Sequence, residues 1–136
     1  MRAATLISDE DLRVDPRLQD TWKKMDWYEV EKLQPFKKSN QPVAILSYPD
    51  DEGVRLNNGR PGAAEGPERI LYYLGRMISK NTPVILIADT ARQPYLEKRH
   101  DEAEKRVHFL LKLNCRVITL GGGHDYGFAD AAALSR

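Results

Sequence analysis

The sequence predicts an α/β protein built on a parallel sheet. Three short runs, Val43 to Tyr48, Val84 to Ala88 and Arg116 to Leu120, are apolar or β-branched and of strand length. Each is followed by a stretch that reads as helix, and strand–helix alternation of this kind favours parallel strands joined by right-handed crossovers. The first two runs are almost continuously apolar, as expected of strands buried on both faces. Three parallel strands place their three following loops on one edge, where α/β proteins collect their functional groups.

Taken in order, residues 1–40 hold eight acidic and eight basic residues, two tryptophans and no glycine. Leu18, Trp22 and Met25 fall at helical spacing, and Asp15 with Pro16 suits a cap and first turn. The expectation is an N-terminal helical extension over 1–40 that packs its aromatic side onto the main body. Pro35 and the segment Ser39 to Pro42 lead into the first strand. After Pro49, the stretch Asp50 to Gly66 has four glycines and no helical pattern. A structureless loop of that length in a compact domain is usually functional or disordered.

Gly66-Pro67 opens a helix, because proline in a first turn loses no hydrogen bond. Ile70, Leu71, Leu74, Met77 and Ile78 form one apolar stripe for a sheet face. A further helix runs from the loop Asp89 to Pro94 to about Leu113. Its inward face is Leu96, Ala103, Val107, Leu110 and Leu111. Its outward face carries Glu97, Lys98, Arg99, Asp101, Glu102, Lys105 and Arg106. A last helix begins near Tyr126.

Bulk properties narrow the classes. The 136 residues suffice for one modest core, and 41% apolar with 30% charged residues is a globular balance. A net charge of +1 with mixed signs argues against nucleic acid as a partner. Met1 to Glu10 lacks a secretory pattern and no apolar run spans a bilayer, so a cytoplasmic location without membrane contact is expected. Cys115 stands alone, which excludes a disulfide framework and a cysteine zinc site; it reads as a small buried residue.

The chemistry concentrates after the third strand, at Gly121-Gly122-Gly123-His124-Asp125. The spacing fails the dinucleotide fingerprint, with Tyr126 at the sixth position, and no phosphate-loop lysine follows. A histidine at a strand end can offer a neutral nitrogen to a metal, and Asp125 could bind the ion as well or orient a neighbour from behind. One histidine is not a metal centre, and a structural, hydrogen-bonded histidine explains the spacing equally well. His100, Glu104 and His108 share a helical stripe beside a charged surface and read as a solvated face. Ser47 has no glycine elbow around it. In Asn57-Asn58-Gly59-Arg60, the arginine fork and the amides suit a carboxylate ligand. Simple chain routing explains the same loop.

Two stretches together resemble one family. Leu120-Gly-Gly-Gly-His-Asp is similar to the first metal-binding motif of the arginase-type ureohydrolases. Asn58-Gly-Arg-Pro-Gly-Ala-Ala-Glu-Gly-Pro-Glu-Arg-Ile resembles their earlier signature, and the two occur in the family's order across residues 43–130. With Asp51-Glu52-Gly53-Val54-Arg55, the pattern is most similar to the formimidoylglutamases. The resemblance implies a three-layer α/β/α fold with strand order 2-1-3, and residues 41–136 as the N-terminal part of an arginase-like domain. It implies a binuclear Mn2+ centre with His124 as a ligand, and Asp125 is expected behind it. It also implies hydrolysis of N-formimidoyl-L-glutamate, a small-molecule substrate, to L-glutamate and formamide in histidine degradation. Asn57, Asn58 and Arg60 would lie near the substrate's glutamate end.

The family's other ligands come from an Asp-x-His-x-Asp and a Ser-x-Asp-x-Asp motif, and neither occurs here. The expectation is therefore an N-terminal portion that holds no catalytic residue and binds manganese weakly. Alone it is expected to be inactive. Its third strand is expected to lie on an open sheet edge that self-associates into a homo-oligomer. The alternatives are a non-catalytic binding or assembly chain with a degenerate ureohydrolase fold, and an arginase- or agmatinase-type hydrolase.

Overall fold

The computed structural model describes residues 22–77, 82–89 and 93–136. Its elements are β1 (Trp22–Met25), α1 (Trp27–Val30), β2 (Val43–Ser47), α2 (Glu52–Leu56), α3 (Gly66–Met77), β3 (Val84–Ile87), α4 (Leu96–Lys112), β4 (Arg116–Leu120) and α5 (Tyr126–Leu134). The strands form one parallel sheet in the order β1-β3-β2-β4. The three expected strands occur in their expected order, with a fourth added at the β3 edge.

That fourth strand corrects the N-terminal expectation, which made Trp22 and Met25 parts of a helix. Trp22–Met25 instead pairs residue for residue with Val84–Ile87. A strand puts residues three apart on opposite faces. Trp22 accordingly packs with Val43, Ile45, Leu71, Val84 and Leu86, while Met25 joins the core on the other face. Both apolar residues are covered either way, so their spacing does not decide between helix and strand. Sheet pairing does. The proposed helix start at Asp15, Pro16 and Leu18 lies outside the described residues.

Period-two alternation divides the sheet into two cores. Ala44 and Leu46 of β2 and Ile85 and Ile87 of β3 face α1, α4 and α5, whose Val30, Ala103, Val107, Leu110, Ala129 and Ala133 complete that side. Val43, Ile45, Val84 and Leu86 face α3, represented by Leu71 and Leu74. This is an α/β/α sandwich. The α3 stripe is narrower than its spacing suggests. Pro67, Leu71 and Gly75 are buried, but Ile70 and Met77 are exposed and Ile78 lies outside the described residues.

The stretch after β2 is not structureless, since it contains α2 and a 3-10 turn at Ala63–Glu65 before α3. After α4 the chain turns at Asn114, φ 65°. Asn114 N–H donates to Leu111 O at 3.0 Å and Cys115 N–H to Leu110 O at 3.1 Å, the paired bonds that close a helix end on a left-handed residue. Asn114 Nδ2 also donates to Phe36 O (2.8 Å), fastening the N-terminal segment to the start of β4. Cys115 is buried as expected, and burial pushes its thiol up to about 11. No helix among the described residues is long and apolar enough to cross a membrane.

The α4 surface needs a larger correction, because Arg106 was placed on the outward face and is buried. It donates to Asp89 O at 3.0 Å and Glu102 Oε1 at 3.0 Å, and lies 4.9 Å from the Trp27 ring centre. Asp89 Oδ1 in turn accepts from Trp27 N–H at 2.7 Å. One guanidinium thus joins the ends of β1 and β3 to α4. Removing it takes the donor from the Asp89 carbonyl and the Glu102 carboxylate and unpacks the Trp27 ring, so Arg106→Ala should cost about 2–4 kcal/mol in urea unfolding at neutral pH. A change below about 0.5 kcal/mol, the range of ordinary surface substitutions, would show that the cluster is not structural.

Candidate active-site edge

The sheet order places the ends of β2 and β4 side by side, with Ser47 opposite Leu120. The backbone then stays in contact beyond the strands. Tyr48 N–H donates to Leu120 O at 2.8 Å, and Gly123 N–H donates to Asp50 O at 3.1 Å. The glycine run exists for this approach. A Cβ on Gly122 would sit 2.6 Å from Tyr48 O and closer still to Asp50 O. One on Gly123 would overlap the Asp125 carboxylate, whereas one on Gly121 meets nothing within 4 Å. The turn therefore needs its second and third glycines and tolerates a side chain at the first.

Asp50 anchors the edge. Its Oδ1 accepts from Glu52 N–H (3.0 Å), and its Oδ2 accepts from Arg99 Nε (2.8 Å) and from the Tyr126 hydroxyl. Burial opposes its charge, but these three donors outweigh burial and hold the carboxyl below the usual carboxylate range. Burial also disfavours the charge on Arg99, yet its bonds to Glu52 and Asp50 keep it protonated beyond its ordinary range. Tyr126 stacks on Tyr48, ring centres 4.4 Å apart. Burial raises both phenols, helped at Tyr48 by the Asp130 carboxylate and at Tyr126 by Asp50, so both stay neutral donors. Asp130 also accepts from Thr119 Oγ1 at 2.8 Å, tying α5 to β4.

On this frame sits a cleft of 360 Å3 lined by Gly53, Val54, Asn57, Gly59, His124 and Asp125. Thus three residues singled out in the sequence, Asn57, His124 and Asp125, meet in one place. Asn58 and Arg60 do not line it and are exposed. Asn58 turns the chain at φ 59°, and Gly59 N–H closes on Val54 O at 2.7 Å, which carries Arg60 beyond the cleft. A second cleft of 500 Å3, lined by Asp51, Arg55, Pro61, Gly62, Ala64 and Glu65, adjoins the same loop.

His124 is exposed at the cleft. Its neighbour Asp125 is engaged, with Oδ2 lying 2.6 Å from His100 Nε2. His100 was expected on a solvated face; its side chain is only 20% exposed and belongs to this edge. Arg99, also placed outward, is an anchor here. Both residues were legible only as extensions of the Ala103–Val107–Leu110 stripe toward the helix start, where charge hides the period.

The donor set suits one position of a transition-metal centre, because an open imidazole at a strand end is a borderline ligand. It does not complete one. Among the described residues no three His, Cys, Asp or Glu side chains converge, and a stable site takes at least three protein ligands.

Comparison with known proteins shows the family. Residues 41–136 match the model of the arginase family. A formimidoylglutamase of Salmonella newport is 33% identical over 110 residues, covering 77% of this chain and 35% of that protein. One from Streptococcus gordonii is 34% identical over 106 residues, covering 75% of this chain and 32% of that protein. The chain thus spans about a third of the length of the curated relatives it matches. No solved structure matches.

The glycine geometry predicts an uneven substitution series in thermal unfolding. Gly121→Ala should be tolerated within about 1 kcal/mol, while Gly122→Ala should cost about 3 kcal/mol or more because it pushes on backbone. Equal losses at both positions would refute the close approach.

Proposed function

The chain belongs to the arginase family, and from that premise we propose that it forms one wall of the active site of a manganese-dependent formimidoylglutamase. The reaction is hydrolysis of N-formimidoyl-L-glutamate to L-glutamate and formamide, in the cytoplasmic breakdown of histidine. The observation that carries this reading is the open His124 in a cleft at the end of β4, beside Asn57. The relatives' names favour this substrate over those of arginase or agmatinase.

In this reading His124 holds one coordination position and Asp125 orients the turn behind it. Manganese, when bound, supplies a Lewis acid and a water of lowered pKa. The Asp-x-His-x-Asp and Ser-x-Asp-x-Asp motifs that would supply the remaining ligands do not occur in the sequence, so in this reading the 136-residue chain by itself binds the metal weakly and does not turn over. Asn57, the residue of the Asn57–Arg60 loop that lines the cleft with His124, is assigned to the substrate's glutamate end; Asn58 and Arg60 stand outside the cleft and receive no such role.

Self-association through the β4 edge belongs to the same reading. β4 ends the sheet, and Ile118 is exposed. Sedimentation should find the chain dimeric or larger at micromolar concentration; a monodisperse monomer would count against this.

A chimera tests the activity. Residues 41–136 replace the matching segment of the Streptococcus gordonii enzyme, and formamide release is measured with manganese present. The chimera should hydrolyse N-formimidoyl-L-glutamate in preference to arginine or agmatine, and His124→Ala should lower its rate about 100-fold or more. The 136-residue chain should release none. Activity in the chimera that is indifferent to His124→Ala would overturn the assignment.

A further inference from the structure

Asp125 stands at the N-cap of α5, a position where an aspartate ordinarily bonds the first helical N–H groups, yet its carboxylate makes no capping bond. It turns instead to His100. The two side chains are 24% and 20% exposed, with Oδ2 and Nε2 2.6 Å apart. The His100 ring is itself set edge-on against Tyr126, centres 4.7 Å apart at 87°. Two glycines close the remaining sides. A Cβ on Gly53 would lie 2.5 Å from Asp125 Cγ, and one on Gly123 would overlap Oδ1. The carboxylate therefore has one orientation, enforced by an imidazole donor and by two backbones without side chains. The turn just before it is held by the same residues, with Tyr126 N–H donating to Gly123 O at 3.3 Å and Gly127 N–H to His124 O at 3.0 Å.

We propose that His100 is a positioning residue: by holding Asp125 Oδ2 it fixes the turn that presents His124 and leaves the imidazole as that turn's open donor. An orienting bond of this kind sits one residue from the presented group and acts through the backbone between them. The part of the proposal that concerns metal rests on the reading of His124 as a ligand.

The test uses the 136-residue protein and three substitutions. Gln at position 100 replaces Nε2 with an amide donor, Leu keeps bulk against Tyr126 without a donor, and Ala removes both. Amide hydrogen exchange at Tyr126 and Gly127 is compared with exchange at Ile45 in β2, which reports global opening. His100→Leu and His100→Ala should speed exchange in the turn about tenfold relative to Ile45, and His100→Gln should restore it. Equal turn exchange in His100→Leu and the unaltered protein overturns the proposal. Should the Leu and Ala variants fail to fold, the unaltered protein decides: its His100 Nε2 proton must give a protected, downfield NMR signal, and absence of that signal is equally fatal.

Paramagnetic broadening by Mn2+ then separates the two claims. His124 ring signals should require about tenfold more Mn2+ in His100→Leu, and Mn2+ effects on the turn should vanish in His124→Ala. Loss in His124→Ala with His100→Leu unchanged refutes positioning toward the metal alone. No change in either variant refutes the ligand reading, and turn exchange still judges His100.

Discussion

Everything at the functional edge depends on one backbone meeting backbone, the approach of Gly122 to the carbonyls of Tyr48 and Asp50. Parallel pairing of β2 with β4 brings the two chain ends abreast. The missing side chain then lets the loops touch instead of splaying. With the loops in contact, Asp50 can accept from Tyr126 at the start of α5 and from Arg99 at the start of α4. Two helices are thereby referred to one carboxylate. The lowered pKa of that carboxylate follows from this convergence, which outweighs the opposing effect of burial.

Where period and burial agree, the fold was legible. β2, β3 and β4 are apolar runs bounded by turn residues, and their relative order matches the expectation drawn from resemblance. Legibility failed where charge or length concealed the pattern. Trp22-Lys-Lys-Met is too short for alternation to speak, and its two apolar residues satisfy helix and strand alike. Arg99, His100 and Arg106 lie on the packed side of α4 in a sequence so rich in charge that each passes for surface. A buried arginine is recognisable only once its partners are placed, and Asp89 and Asp50 are 17 (106−89) and 49 (99−50) positions away. The cleft was half visible. The glycine run announced His124 and Asp125, and the asparagine loop announced Asn57, but neither the exclusion of Arg60 nor the entry of His100 has a local signal.

The adjacent residues His124 and Asp125 have opposite fates. One is left open in a cleft, the other is locked by an imidazole and two glycines. A carboxylate next to an open imidazole competes with it for any ligand unless something else occupies its oxygens, so locking it defines what the turn offers. The same logic applies to the tyrosines. Tyr48 and Tyr126 are buried, stacked and raised, which makes them struts whose hydroxyls fix Asp130 and Asp50.

β1 has a consequence of a different kind, for the order in which the molecule is assembled. Among the described residues its only partner is β3, and Trp22 pairs with Val84, 62 residues later (84−22). A ribosome therefore releases the first strand long before the strand it pairs with exists. During that interval its native partner is missing while β2 is already made, and premature pairing of the two would shut β3 out of the sheet. Lys23 and Lys24, in the middle of a four-residue strand, are the residues that make so short an edge a poor template. β1 can take its native place only once β3 has been made, and Trp27 and Arg106 secure it there.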